Sequence, residues 1–292
     1  MNDWLEAVGF TWDRAAVQIP ERHPGGRERA LWRFAKSMAQ FVWDSGKLEG
    51  NPFTLPEVQT LMEGITVGGR KVSDAQQIQG LIDASRQLHD VVADGAFALT
   101  EAISRELHAR LAASEALDAG YFRGQGTVTD ATPGVALGDG RTYTPPPTER
   151  GGANLVALHE RAVEAIATLP EPFEQALVYN MFGSLAQLYF DGNKRTSRLM
   201  MNGHLMAHGY DAISVPASWR QAYNTAMVTL FASRDATPAL QLHVAIATNT
   251  QPPVISSGPG FGRVVGTPLP PGLPPLTSTP TSRPDSNLGP QF

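Results

Sequence analysis

Apolar residues recur every three to four positions over most of the chain, which is the spacing of one buried face of an α-helix. Between residues 27 and 45, for example, Leu31, Phe34, Met38 and Phe41 follow this spacing. The same criterion predicts helices over residues 73–93, 96–114, 154–168, 171–188, 194–208 and 216–233. The pattern therefore predicts an all-α domain.

Three helix ends carry local signals of their own. Thr54-Leu-Pro-Glu57 has the threonine and the glutamate of a capping box, so it predicts a short helix that runs through Met62. Asn154 is the predicted N-cap of the helix over 154–168. Gly209 is predicted to end the helix over 194–208.

One stretch, residues 121–147, departs from the helical pattern. It is rich in glycine and threonine, and Thr127-Val-Thr129 and Arg141-Thr-Tyr-Thr144 alternate in polarity. Leu137-Gly-Asp-Gly140 lies between them and is typical of a hairpin turn. We interpret the stretch as a β-hairpin, or flap, inserted in the helical domain. A plain surface loop is the alternative, and the pattern alone does not decide between the two.

The composition changes abruptly at residue 251, where a segment rich in proline begins. Eleven of the 23 prolines lie between Gln251 and Phe292. Proline lacks a backbone donor, so this segment is predicted to be a disordered or polyproline-II tail. We therefore divide the chain into a helical N-terminal region (1–94), a core (95–250) and the tail (251–292).

Composition and charge exclude several classes of protein. The chain has 292 residues, 42% of them hydrophobic, a net charge of −5 and no cysteine. Disulfide scaffolds, cysteine nucleophiles and thiolate metal sites are therefore excluded. No run approaches the roughly 18–20 apolar residues of a membrane span, and the first residues do not resemble a secretory signal. We expect a cytoplasmic protein that binds neither membranes nor, through bulk charge, nucleic acids.

The most informative stretch is residues 187–198, Gln-Leu-Tyr-Phe-Asp-Gly-Asn-Lys-Arg-Thr-Ser-Arg. Gly192 and Asn193 make a tight turn at the predicted start of a helix, where backbone N–H groups and the helix dipole favour anions. Arg195 and Arg198 share a helix face, and arginine forks match phosphate oxygens. Asp191 supplies a hard oxygen for Mg²⁺. The chemistry predicts a nucleotide polyphosphate site, although a solvated helix start with ordinary surface arginines stays open.

The same residues resemble the active-site signature of the Fic family, His-x-Phe-x-(Asp/Glu)-Gly-Asn-(Gly/Lys)-Arg-x-x-Arg. Ser45-Gly-Lys-Leu-Glu-Gly-Asn51 resembles the inhibitory motif of that family, (Ser/Thr)-x-x-x-Glu-(Gly/Asn). Tyr121-Phe-Arg123 and the segment that ends at Tyr143-Thr-Pro-Pro-Pro147 are similar to its flap and the exit from it. The resemblance covers residues 27–245 in the expected order. It implies a Fic-type helical domain with a β-hairpin flap and an N-terminal inhibitory helix.

The resemblance also implies a reaction and a nucleotide site. Members of the family typically transfer AMP from ATP to a hydroxyl side chain of a target protein. Asp191 would hold Mg²⁺ against the α- and β-phosphates, and the amides of Gly192–Lys194 would form an anion cradle together with the side chain of Asn193. Arg195 would bind phosphate, and Arg198 would bind the γ-phosphate. ATP and Mg²⁺ are therefore the implied ligands.

Inhibition and target binding are implied in the same way. Glu49, within the motif that also contains Ser45 and Gly50, would reach Arg198 and keep the γ-phosphate from seating productively. The flap, Thr127–Tyr143, would align an unidentified target protein by strand addition. Whether the chain forms a homodimer stays open.

One position departs from the family pattern. The catalytic histidine corresponds to residue 187, which is Gln187. A carboxamide does not titrate near neutral pH, so it cannot act as the general base. An impaired adenylyltransferase and an inactive nucleotide-binding relative that regulates or binds partners are the two main alternatives. Removal of AMP, with Glu49 activating water, ranks below both.

Overall fold

The computed structural model describes residues 4–22, 25–138 and 140–251 of the chain, so all of the predicted tail except Gln251 lies outside the described residues. The helices are α1 (Trp4–Ala7), α2 (Gly26–Leu48), α3 (Leu55–Met62), α4 (Val72–Ala93), α5 (Glu101–Leu111), α6 (Ala153–Ala167), α7 (Pro172–Ala186), α8 (Asn193–Ala207), α9 (Arg220–Ser233) and α10 (Thr237–Ala247). Short 3₁₀ turns cover Arg14–Ala16 and Ala217–Trp219, and the strands are β1 (Val135–Ala136) and β2 (Thr142–Tyr143).

The eight helices predicted from the sequence are confirmed in type and order, whereas α1 and α10 were not predicted. The capping box is present at the start of α3, where the N–H of Thr54 donates to Glu57 Oε2 at 2.7 Å. The helix predicted over 96–114 is shorter than expected. It begins after Thr100, whose hydroxyl accepts from the N–H of Ile103, and it ends at Leu111.

The predicted cap of α6 is wrong. Gly152, with φ of +64°, is the N-cap, because the chain enters this helix through a left-handed turn. Asn154 lies inside the first turn, and its Nδ2 donates to the carbonyl of Pro147 at 2.9 Å. Its side chain therefore ties α6 to the end of the flap rather than capping the helix.

Helices α7 and α8 form the centre of the molecule and pack chiefly against each other. Every residue of α7 from Phe173 to Ala186 except Gln175 is buried, which is typical of a helix that is covered on all sides. Helix α8 also contacts α2, α4 and α5. The short segment that joins α7 to α8, residues 187–192, is thus held between rigid neighbours.

The predicted hairpin is confirmed, but its first strand is not where the alternation suggested. Strands β1 and β2 are antiparallel, with Val135 opposite Tyr143 and Ala136 opposite Thr142. Thr127 and Val128 do not form a strand. The carboxylate of Asp118 accepts from the hydroxyl of Thr127 and from the backbone N–H of Val128, so this segment is a loop bound to a side chain.

The strand β2 is anchored to the helical core through Tyr143. Its hydroxyl donates to the carbonyl of Leu185 near the end of α7, at 2.9 Å.

Among the described residues, no helix combines the length and the apolarity that crossing a bilayer requires.

Candidate functional site

A cavity of about 260 Å³ opens where the end of α7, the start of α8 and strand β1 meet. Residues 133–136 of the flap form one wall, and residues 187 and 190–195 form another. Glu49, at the end of α2, also lines the cavity. The tertiary structure therefore brings the signature, the flap and the motif around Glu49 to one place.

The turn into α8 requires glycine at position 192. Gly192 is the N-cap of α8 with φ of +73°, and a Cβ there would lie 3.0 Å from Cδ2 of Leu111. The first N–H groups of a helix have no partner within it and carry the positive end of its dipole. The N–H of Gly192 is already bound by the carboxylate of Asp191. The amides that follow, from Asn193 onwards, are the better candidates for an anion.

The side chain of Asn193 binds the signature segment itself. Its Oδ1 accepts from the N–H of Tyr189 at 2.8 Å, and its Nδ2 donates to the carbonyl of Tyr189 at 2.7 Å. The same Nδ2 also lies 3.1 Å from Oε1 of Gln187. Asn193 is 5% exposed, so in this structure its side chain holds the turn together, and its role toward an anion stays a prediction.

Gln187 ends α7 in the left-handed conformation, with φ of +49°. Its Nε2 donates to the carbonyl of Ser184 at 2.7 Å, and its Oε1 accepts from Asn193. Both ends of the carboxamide are thus engaged within the protein, although the residue lines the cavity. At the position that the resemblance assigns to the general base, this side chain is hydrogen-bonded to its own helix end.

A buried arginine holds the main chain of Gln187. Arg123 donates from Nε to the carbonyl of Gln187 at 2.7 Å, from Nη1 to the hydroxyl of Thr148 at 2.5 Å and from Nη2 to the carbonyl of Pro146 at 2.7 Å. Burial lowers the pKa of Arg123 to about 10. The guanidinium therefore connects the exit of the flap to the first residue of the signature.

His108 on α5 holds the other end of the same segment. The N–H of Gly120 donates to its Nδ1 at 2.9 Å, so Nε2 carries the proton and donates to the carbonyl of Asp191 at 3.0 Å. The imidazole stacks on Tyr189 with ring centres 3.7 Å apart. Burial lowers the pKa of His108 to about 4, which keeps the ring neutral. The hydroxyl of Tyr189, a residue that stands where the Fic signature has Phe, is hydrogen-bonded to Ser104 at 2.8 Å.

Glu49 meets two cations of the signature. Nη2 of Arg198 donates to its Oε1 at 3.2 Å, and Nζ of Lys194 lies 3.7 Å from its Oε2. Burial opposes ionisation of this carboxyl, but Lys194, Arg198 and Arg195 outweigh it and hold the pKa of Glu49 below its ordinary value. Gly50 follows with φ of +86°, and Ser45 is buried on α2.

Arg195 is paired with a residue that the sequence did not single out. Its Nη1 and Nη2 donate to Oε1 and Oε2 of Glu115 at 2.6 and 3.1 Å, and Nη2 also lies 3.5 Å from Oδ1 of Asp191. The two predicted arginines thus face different carboxylates, Glu115 and Glu49.

Asp191 is the residue whose chemistry fits a Mg²⁺ ion. Its side chain is 59% exposed at the edge of the cavity, so its carboxylate oxygens are within reach of a ligand. Mg²⁺ that arrives with a nucleotide is usually held by one or two carboxylates together with phosphates. Among the described residues, no group of three or more histidines or acidic residues could hold a metal without such a ligand.

Sequence reasoning missed Glu115, Arg123 as a positioning group, and His108. Each acts on the signature from more than 60 residues away in the chain. Glu115 lies after the end of α5, outside the pattern of apolar residues, and a single glutamate does not form a motif. Only His108 had a weak signal, since it lies on the inner face of α5 beside Leu107 and Leu111.

The chain is similar in sequence to curated proteins named protein adenylyltransferase Fic. The relative from Nematostella vectensis is 25% identical over 187 residues, which cover 63% of this chain and 41% of the relative. The relative from Drosophila erecta is 28% identical over 203 residues, which cover 66% of this chain and 38% of the relative. The chain thus spans about two fifths of the length of these relatives. No protein-family model matches it.

Solved structures show the same fold. A fragment of Fic-1 from C. elegans superposes with a TM-score of 0.60 at 19% identity and covers 78% of this chain and 64% of that fragment. A Fic-domain signalling protein from Bacteroides thetaiotaomicron superposes with a TM-score of 0.57 at 20% identity and covers 79% of this chain and 94% of that protein. The chain therefore has the Fic fold, and the curated and structural neighbours together support a Fic-family protein.

Proposed function

We propose that this chain, which has the fold of Fic proteins, is a Fic-type protein adenylyltransferase that Glu49 inhibits and Gln187 impairs. It would transfer AMP from ATP to a hydroxyl side chain of a target protein. The observation that carries the proposal is the contact between Glu49 and Arg198 at the edge of the cavity. A carboxylate on a signature arginine matches what the resemblance implies for the inhibited state, and the two residues come from distant parts of the chain.

The charges around the cavity support a phosphate ligand. Lys194 and Arg198 lie beside the start of α8, whose dipole adds positive charge. The cavity volume of about 260 Å³ is just below the range of about 300–1,000 Å³ for small-molecule sites. We infer that the cavity receives the phosphates and that the nucleoside extends beyond it. Asp191 would hold the Mg²⁺, which offsets phosphate charge when bound.

The carboxylate of Glu49 would reduce productive binding in two ways. It occupies a donor of Arg198 that a γ-phosphate would use, and it places a like charge beside that phosphate. Its single hydrogen bond to Arg198 is long compared with the bidentate pair of Arg195 and Glu115. Displacing Glu49 would leave the buried Arg198 without its carboxylate, and a γ-phosphate bound in its place would offset that cost.

The transfer itself would form a bond between the target oxygen and the α-phosphorus, break the bond to the bridging oxygen and release pyrophosphate. The proton of the attacking hydroxyl must also leave. Gln187 has no titratable nitrogen to accept it, so the proton would pass to solvent. Loss of a positioned base commonly costs about 10²–10⁴ in rate, and we expect slow transfer.

A second function, nucleotide binding without transfer, is favoured by one observation. Both ends of the Gln187 carboxamide are engaged, by Ser184 and by Asn193, so the side chain is held away from a reacting hydroxyl. In that case the flap would serve to bind a partner. In either case we propose that the target or partner docks on the flap, near Thr127–Tyr143, where β1 forms a wall of the cavity.

Intact-mass spectrometry of the chain after incubation with Mg²⁺–ATP tests the proposal, because it detects AMP that the chain has transferred to itself. The variants are Glu49→Gly, Glu49→Gly/Gln187→His, and the control Glu49→Gly/Asp191→Ala, which lacks the proposed metal ligand. An AMP adduct on Glu49→Gly would support transfer despite Gln187. An adduct only on the variant with His at position 187 would favour the binding function. No adduct on any of them would contradict adenylyl transfer by this site.

A further inference from the structure

The pairing of Arg195 with Glu115 determines where a buried positive charge lies within the site. The side chain of Arg195 is 4% exposed, and its two terminal nitrogens face the two carboxylate oxygens of Glu115. Two parallel charge-assisted bonds of this kind are among the strong hydrogen bonds of proteins. A buried guanidinium that loses such a partner must find another, because an uncompensated buried charge is strongly destabilising.

The alternative partner is already close. Asp191 lies four residues before Arg195, and its Oδ1 is 3.5 Å from Nη2 of the arginine. In the described part of the chain, Glu115 and Asp191 are the carboxylates within ion-pair distance of Arg195. Without Glu115, the guanidinium would move onto Asp191 and take the oxygens that a metal ion would use.

The position of Glu115 is also fixed from its other side. Nε2 of Gln77 on α4 donates to Oε2 of Glu115 at 2.7 Å. Oε1 of Gln77 in turn accepts from Nδ2 of Asn51 at 2.9 Å, two residues after Glu49. These bonds hold the carboxylate of Glu115 against the end of the guanidinium. Nη2 of Arg195 lies 3.1 Å from Glu115 and 3.5 Å from Asp191, so the shorter of its two contacts is the one with Glu115.

We propose that Glu115 is a positioning residue that limits the pairing of Arg195 with Asp191 to one long contact, so that Asp191 stays open to the cation of a metal–nucleotide ligand. The proposal rests on the proposed function for its ligand, but the arrangement of charges it describes exists without any ligand. The hydrogen bonds of Gln77 to Glu115 and to Asn51 connect this pair to the segment that carries Glu49.

A double-mutant cycle without ligand tests the arrangement. Asp191→Asn is made in the wild-type chain and in Glu115→Gln, and the melting temperatures are compared. We expect Asp191→Asn to lower the melting temperature by about 2–4 °C more in the Glu115→Gln background, because Arg195 then depends on Asp191. Equal effects in both backgrounds would overturn the proposal. Glu106→Gln, which removes an exposed carboxylate of α5, is the matched background and should show no coupling.

Calorimetry with ATP, with Mg²⁺ or with EDTA, tests the consequence for the metal. Glu115→Gln should weaken binding of Mg²⁺–ATP about tenfold while metal-free ATP binds within about twofold of wild type. Glu115→Asp, which retains the charge, should recover part of the loss. Equal weakening with and without Mg²⁺ would mean a merely structural role and would overturn the proposal.

The two experiments separate the two proposals. If neither the wild type nor any variant binds Mg²⁺–ATP, the proposed function fails, and the ligand-free cycle still decides the role of Glu115. If Glu115→Gln does not fold, the same cycle is made with Glu115→Asp, whose shorter side chain weakens the pair without removing its charge. Coupling to Asp191 supports the proposal there too, and its absence overturns it.

Discussion

The carboxylate of Glu49 accepts a hydrogen bond from Nη2 of Arg198 at 3.2 Å, although 149 positions separate the two residues in the chain. Arg198 itself is buried, and its Nη1 donates to the hydroxyl of Tyr223 at 3.0 Å. Glu49 caps the end of α2 and is followed by a glycine in the left-handed region. Because Tyr223 remains a partner of Arg198 when Glu49 is changed, we expect changes at Glu49 to act on the site without unfolding it.

Glu49→Gly should bind Mg²⁺–ATP about tenfold more tightly than the wild type, because it frees donors on Arg198 and Lys194 and removes a like charge. Isothermal titration calorimetry measures the change. Glu63→Gly, at the exposed end of α3, removes the same charge away from the cavity and should leave the affinity unchanged. A Glu49→Gly affinity equal to that of the wild type would contradict the inhibitory role.

Asp191→Asn should weaken binding of Mg²⁺–ATP about tenfold and make it nearly independent of Mg²⁺, because an amide is a poorer ligand for a hard cation than a carboxylate. Calorimetry at several Mg²⁺ concentrations provides the measurement. Asp90→Asn on α4, where the side chain is 73% exposed, is the control. If Asp191→Asn keeps the Mg²⁺ dependence of the wild type, Asp191 is not the metal ligand.

Arg123→Met should lower the free energy of unfolding by about 3 kcal/mol or more, since each buried acceptor left without a donor costs about 1–3 kcal/mol. The acceptors are the carbonyls of Gln187 and Pro146 and the hydroxyl of Thr148. Urea unfolding followed by circular dichroism measures the loss. Arg110→Met on the exposed side of α5 should change it by less than about 0.5 kcal/mol. If Arg123→Met lowers the free energy of unfolding by less than about 0.5 kcal/mol, the three bonds of Arg123 do not hold the flap to the signature.

Acid should destabilise the protein over the range in which its buried histidines stay neutral. Burial lowers the pKa of His108, His159 and His243 to about 4 and that of His204 to about 3, from 6.5. Below pH 6.5 the unfolded chain therefore binds protons that the folded chain does not. The contribution of these histidines to the free energy of unfolding is therefore complete above pH 6.5. It decreases as the pH drops toward 4, by up to about 1.4 kcal/mol per pH unit for each histidine.

Urea unfolding at about pH 7.5 and about pH 5.5 measures this fall. In His159→Gln one of the four groups is absent, so stability should decrease less steeply than in the wild type. A free energy of unfolding that stays constant between the two pH values would show that the pKa values of these histidines are the same in the folded and the unfolded protein.

The amino-acid sequence by itself determined the helices, because their apolar positions repeat at helical spacing, and it located the signature and the motif around Glu49, because both are contiguous. It also indicated the hairpin. It misplaced the first strand, since the bond between Val128 and the carboxylate of Asp118 competes with strand pairing, and residues 135–136 pair instead.

Only the tertiary structure decided which groups act on the signature. Glu115, His108 and Arg123 reach it through the packing of α5 and the flap around the α7–α8 turn, and no local pattern encodes contacts over such distances. The same is true of Asn154, whose residue type suggested a cap while Gly152 took that role. Local spacing determines helices because their hydrogen bonds join near neighbours. The partners of a buried charge are set by which helices pack together, and that is a property of the whole fold.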